Sequence, residues 1–330
     1  MRIGYAAMLE QFAPAEVIDL CVAAERHGFD GVIATDHFQP WLPRHGTAAH
    51  VWTMLGAIGA HIRGDLGPAA TTPTFRTHPA VVAQAAATLA SLYPGRVWLG
   101  VGSGEALNEH VVGEYWPEPG ERIEHMFEAV EIIRKLFASA ASGRLVKHRG
   151  ARFRVESTRL WTVPTPAPPI YVATAGPVTA RRAGRSADGL VTTGEDFDRA
   201  AQLLARFADG AREAGRDLAT MERVLHLHVS WAPTDEEALA AAMTEWPMAG
   251  LRIRRGDIRS PYDFEQLVRG VRTEEVTSAM LVSSDPDAHR AHIQRYADLG
   301  FTRIFLHNVG RDQREWLEVF GRDVLPKVRG

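Results

Sequence analysis

Two stretches of this 330-residue chain end in groups that could move a proton beside a flat ligand. In one, Gly100-Val101-Gly102-Ser103-Gly104-Glu105 runs out of the apolar segment 97–101 and delivers Glu105 and, three residues on, Asn108. Glycines at alternate positions put no Cβ in the way, so the backbone can lie close to something planar or anionic. In the other, Asp36-His37-Phe38-Gln39-Pro40-Trp41 follows the apolar segment 31–34. An imidazole with its ordinary pKa of ~6.5 takes and gives protons at cellular pH. A carboxyl group does the same once burial tunes it. Trp41 offers a flat wall, and Asn108 offers a donor and an acceptor for a ligand with amide-like edges. A core histidine and a capping glutamate are the plainer readings of His37 and Glu105. Their places at two strand exits favour an acid/base pair.

Alternating β and α periodicity runs through the whole chain and must position these groups. Strands are expected at 2–7, 31–35, 66–72, 97–101, 170–173, 189–193, 224–231 and 303–307. Helices are expected at 15–27, 49–62, 79–92, 121–138, 178–184, 197–214, 235–243, 264–270, 285–299 and 313–324. Eight βα units without a flexible linker predict one α/β domain over 1–330, a (β/α)8 TIM barrel. Insertions are expected at about 144–160, a hairpin around Gly150, and at about 247–275, an irregular arginine-bearing segment. In such a barrel the residues just past the strand C-termini share one mouth. That gathers Glu10, His37, Trp41, Thr72, Glu105, Asn108, Ala175, Gly176, Thr193, His228 and His307. Glu109 is expected to face solvent, and His226 and His228 to split between the mouth and the helix layer. A doubly wound dinucleotide fold is set aside: the glycine run lacks its third glycine, falls at the fourth strand, and has no helix opening on it.

Composition removes other function classes. With 37 basic and 40 acidic residues the net charge is −3, without the basic footprint of a nucleic-acid or membrane-surface partner. No apolar run approaches the ~18 residues of a membrane span, and the strand signal at residue 2 leaves no signal peptide. The single cysteine, Cys21, cannot form an intrachain disulfide and reads as a buried thiol in a reducing, cytoplasmic setting. No His-Glu-x-x-His or cysteine cluster predicts a metal, and no Gly-x-Ser-x-Gly predicts a serine hydrolase. These residues describe a barrel enzyme with an acid/base pair and leave its ligand open.

Longer runs say more. Glu10-Gln11-Phe12-Ala13-Pro14, Asp36 through Trp41, Thr72-Pro73-Thr74-Phe75-Arg76, Gly100 through Glu109, Ser284-Asp285-Pro286-Asp287 and Asp312-Gln313-Arg314 together resemble the luciferase-like family of flavin and deazaflavin oxidoreductases. Within it, the resemblance is to the F420-dependent glucose-6-phosphate dehydrogenases and spans essentially the whole chain. It implies hydride transfer on a metal-free barrel between coenzyme F420 and a small polar alcohol or carbonyl, such as a sugar derivative. It also implies a homodimer. By the same resemblance His37 acts on the substrate hydroxyl, Glu105 serves the proton needs of the deazaflavin ring, and Glu10 and Trp41 line the reacting centre. The ring would lie against Asp36, Thr72, Gly102, Ser103, Asn108 and a non-proline cis peptide at Ala69–Ala70. Backbone amides near Ala175, Gly176 and Pro177 would hold the phosphate-bearing tail, and the arginines of 251–259 would suit its glutamates. Substrate would meet Thr193, Arg255 and His228. Two other phosphate-clamping positions of the sugar-phosphate enzymes fall near Asp196 and at Ala279. A phosphate dianion would therefore lose two charged partners and meet Glu195 and Asp196, which speaks against glucose 6-phosphate. The segment 305–311 also resembles a flavin-using subgroup, which makes FMN with a separate reductase the alternative.

Overall fold

A computed structural model describes residues 1–329. The chain runs β1 (Arg2–Ala7), α1 (Pro14–Arg26), β2 (Gly31–Ala34), α2 (Val51–His61), β3 (Asp65–Pro68), α3 (Pro79–Leu92) and β4 (Leu99–Val101). After α4 (Ala106–Glu109) and α5 (Pro119–Ser142) come β5 (Val146–Arg149) and β6 (Arg154–Thr158). Then follow β7 (Ile170–Ala173), α6 (Pro177–Ser186), β8 (Gly189–Thr193), α7 (Phe197–Glu213), β9 (Glu222–Ser230) and α8 (Asp235–Glu245). The last part holds α9 (Pro261–Val268), α10 (Thr273–Thr277), β10 (Leu281–Val282), α11 (Pro286–Asp298), β11 (Arg303–Asn308), α12 (Gln313–Val319) and, after a π turn, α13 (Leu325–Arg329). Six of these helices open on proline, whose fixed φ and missing N–H suit a first helical position.

Eight strands pair in parallel in the order β3-β2-β1-β11-β9-β8-β7-β4. Single bridges from Leu66 to Val97 and from Thr71 to Val101 bring β3 against β4 and close the ring. This is the expected (β/α)8 barrel, with β10 added at the rim of β9. Both strand faces are covered, so the middles of the strands are mostly apolar, with polar residues such as Arg303, His228 and His307 toward the two ends of the barrel. Outward side chains such as Leu225 and Leu227 join the layer under the helices. Inward ones, among them Trp98, Tyr171, Val224 and Phe305, fill the barrel. Glycine makes that filling possible: a Cβ on Gly67 would run into the Trp98 ring, and one on Gly4 into Phe305. Below this layer Arg303 pairs with Asp65 and Glu222 and seals the far end.

Both insertions have more order than their composition indicates. β5 and β6 form the expected antiparallel hairpin. The segment 247–275 carries two 3-10 turns, α9 and the start of α10. Its Met248, Phe264 and Val268 build a second apolar cluster with Met8, Leu42, Leu107 and Val309 at the barrel mouth. Apolar burial, not arginine, anchors it. The expectation that no helix opens on the glycine run fails: the short helix α4 does so, with Glu105 as its first flanking residue. Cys21 is buried as expected, its thiol pushed up by desolvation. No described helix is long and apolar enough to cross a membrane.

Candidate active site

Where the strands end, one cavity of about 310 Å³ opens at the mouth, a size suited to a small-molecule site. His37 enters it from the β2 exit. Its Nδ1 lies 3.2 Å from the Gln39 carbonyl oxygen, which can only accept, so Nδ1 carries the proton and Nε2 of the neutral ring is the free base. Behind it Glu10 is fully buried. Thr35 donates its hydroxyl to Glu10 Oε2, while Oε1 has no hydrogen-bond partner and sits 4.0 Å from His37 Nδ1. The carboxylate is thus placed to steady positive charge on the imidazole. Glu105 flanks α4 without capping it, which leaves its carboxyl group to the cavity. Desolvation raises the Glu105 pKa, against the pull of His37 and Arg255.

The walls follow from the loops. Trp41 packs 5.1 Å from the His37 ring and edge-on to Phe264. Asn108 Oδ1 accepts from the Phe38 and Gln39 amides at 3.0 and 3.3 Å, so Asn108 fixes the His37 loop and keeps only its amide nitrogen for a ligand. Ala69 and Ala70, joined by a cis peptide bond as the resemblance implied, line the cavity with Gly102 and Ser103. Behind this wall Arg76 bonds Asp36 and Glu109, each at 3.1 Å. Glu109 is therefore buried and paired, not solvent-facing as expected. The Arg76 brace ties the loops after β2, β3 and β4 into one body.

The opposite wall comes from β8, β9 and the 247–275 insertion. Arg255 Nη2 contacts both carboxylate oxygens of Glu195, at 2.8 and 2.6 Å. His226 and His228 both line the cavity, which corrects the expectation that they part. Residues two apart on a strand share a face. With His307 they form a buried three-imidazole group whose nitrogens lie within 4.8 Å of one another, a juxtaposition no local spacing shows. Burial pushes His228 down to about 3 and His226 and His307 well below the ordinary value, so all three are neutral. His228 Nδ1 and His307 Nδ1 stand 2.8 Å apart. That is a hydrogen bond; two imidazoles sharing a tetrahedral zinc keep their nitrogens about 3.3 Å apart.

Of the residues expected in the site, His37, Glu105, Trp41, Asp36, Ala69, Ala70, Thr72, Gly102, Ser103, Asn108, Thr193, Arg255 and His228 line this cavity. Glu10 stands behind His37, and His307 beneath His228. Ala175, Gly176 and Pro177 lie outside it at the start of α6, where the Gly176 amide already donates to Thr174 Oγ1 at 2.9 Å. Asp196 caps α7, and Ala279 is buried in the second apolar cluster. Sequence reasoning missed Trp246 and Met248 as wall residues. The Trp246-Pro247 step, which stops α8, is the signal that could have found them.

Comparison with known proteins agrees with this geometry. A family model described as luciferase-like monooxygenase matches residues 1–303. A protein of Microbacterium testaceum named F420-dependent glucose-6-phosphate dehydrogenase is 40% identical over 100% of this chain and 98% of its own. A protein of the same name from Mycobacterium avium is 38% identical over 100% and 98%. Among solved structures, an F420-dependent secondary alcohol dehydrogenase bound to an F420-acetone adduct superposes with a TM-score of 0.93 at 31% identity, over 100% of this chain and 99% of that one. A tetrahydromethanopterin reductase from Methanopyrus kandleri shares the fold at 19% identity and a TM-score of 0.80, over 99% and 100%. With that match over residues 1–303, the chain belongs to the luciferase-like monooxygenase family.

Proposed function

We propose that this protein is a coenzyme F420-dependent oxidoreductase that moves a hydride between the deazaflavin and a polar alcohol or carbonyl substrate. The observation that carries it is the His37 arrangement: a free Nε2 base, with Nδ1 held by the Gln39 carbonyl oxygen and backed by a buried carboxylate. The site fits a flat ring. Ala69, Ala70 and Gly102, with small side chains or none, keep one wall low. When bound, the coenzyme supplies the hydride acceptor or donor. His37 Nε2 takes the hydroxyl proton during oxidation, and Glu10 Oε1 stabilises the resulting imidazolium. Glu105, its pKa raised by desolvation, stands in the cavity as the proton donor to the coenzyme ring. Trp41 and Trp246 exclude water. The relatives' names, one a sugar-phosphate and one a secondary-alcohol enzyme, support the substrate class.

The test is turnover of purified protein with oxidised F420 and an alcohol panel, read as loss of the coenzyme's fluorescence, with FMN in parallel. Bleaching with F420 and none with FMN is expected; turnover with FMN alone would overturn the reading. The proposal extends to a homodimer in the cytoplasm. A lone buried thiol suits a reducing compartment, and light scattering should give twice the chain mass.

A further inference from the structure

The cavity wall opposite the glycine run has two features that the hydride chemistry does not need. The first is a closed account of charge. Among the described residues lining the cavity, Arg255 is the one guanidinium, against the carboxyl groups of Asp36, Glu105 and Glu195. Arg76 stands behind the wall and is committed to Asp36 and Glu109. Glu195 takes Arg255 with both its oxygens, and both side chains are three-quarters buried. An incoming phosphate would find the Arg255 charge already offset by Glu195, and its own negative charge would face that carboxylate. The cavity therefore has no cation to spare.

The second is a chain of hydrogen bonds that decides which nitrogen of His228 faces the ligand. The Val309 carbonyl oxygen can only accept, so Gln11 turns its Nε2 toward it at 3.3 Å. Gln11 Oε1 then accepts from His307 Nε2 at 2.8 Å. His307 is neutral, so its Nδ1 holds a lone pair and accepts from His228 Nδ1 at 2.8 Å. His228 is left with a bare Nε2, an acceptor without a protein partner, on a residue that lines the cavity.

We propose that this wall selects an uncharged substrate segment bearing a second hydroxyl group, which donates to His228 Nε2, and that the Glu195–Arg255 pair turns phosphate esters away. The inference rests on the hydride-transfer reading of the same cavity and names its substrate class: unphosphorylated polyols and hydroxy-carbonyl compounds. It sets this chain apart from what the names of its sugar-phosphate relatives state of them.

The test uses the F420-loaded protein with glucose, butane-2,3-diol, butan-2-ol and glucose 6-phosphate. Glucose or the diol should exceed glucose 6-phosphate in kcat/KM; the reverse order overturns the proposal. His228→Phe should raise KM for the diol about tenfold more than it raises KM for butan-2-ol, the worth of one hydrogen bond. An equal change for both alcohols counts against the hydroxyl acceptor. Calorimetric titration with inorganic phosphate decides the charge half whether or not coenzyme binds. No binding at millimolar phosphate is expected for the parent, and binding for Glu195→Gln; binding to the parent overturns it. A separate fluorescence titration reports coenzyme binding, and its failure would strike the hydride-transfer reading instead.

Discussion

His37 has no freedom over which nitrogen it presents, because the carbonyl oxygen two residues on holds the other one. His37→Ala should therefore lower turnover about a hundredfold, the usual worth of a general base, and leave coenzyme affinity unchanged in a fluorescence titration. Glu105→Gln makes a different prediction. Desolvation raises its pKa, so alcohol oxidation that draws on the acid form should fall as pH rises through that raised value. The variant, which cannot titrate, should lose that limb of the kcat–pH profile. A profile identical to the parent's would remove Glu105 from the proton path. His37 and Glu105 were legible in the sequence because each follows an apolar strand by a residue or a few. So were Glu10, Trp41 and Arg255; the hydrogen bonds that tie the site together were not. Glu195 and Arg255 lie 60 residues apart, and the tautomer of His228 is set by Gln11 and Val309 through β11, at sequence separations that no local pattern encodes.

At the level of elements, the α6–α7 pair is held close by glycine on each side. A Cβ on Gly184 would run into the Phe207 carbonyl oxygen, and one on Gly210 into that of Arg181. Gly184→Ala or Gly210→Ala should each cost about 2–3 kcal/mol, since backbone atoms must part to admit the methyl group. Urea midpoints measure this. The double variant should cost less than the sum, because one separation relieves both clashes. Helix and strand periodicity made nearly all the barrel elements readable, with ends shifted by a few residues. α4 escaped because four residues carry too little period. Order in the 247–275 insertion escaped because its apolar residues pack onto the mouth rather than onto the helix layer.

For the molecule as a whole, buried neutral imidazoles set the acid limit. His289 is fully buried, and desolvation lowers it to about 4. His45, His226, His228 and His307 are lowered as well. The unfolded chain binds these protons from about pH 6.5 downward, and the folded chain does not. Their contribution is therefore complete above that pH and is lost as pH falls toward the folded values. His289 alone should cost about 2 kcal/mol between pH 7.5 and 5. Urea unfolding at the two pH values checks it, and equal stabilities would contradict it. The aromatic plug of Trp98, Tyr171 and Phe305, with the Arg303 ion pairs beneath it, has a kinetic consequence. Since nothing passes through the barrel, whatever occupies its depth and whatever follows share a single doorway. Arrival and departure therefore run in opposite order, with the last molecule in the first one out.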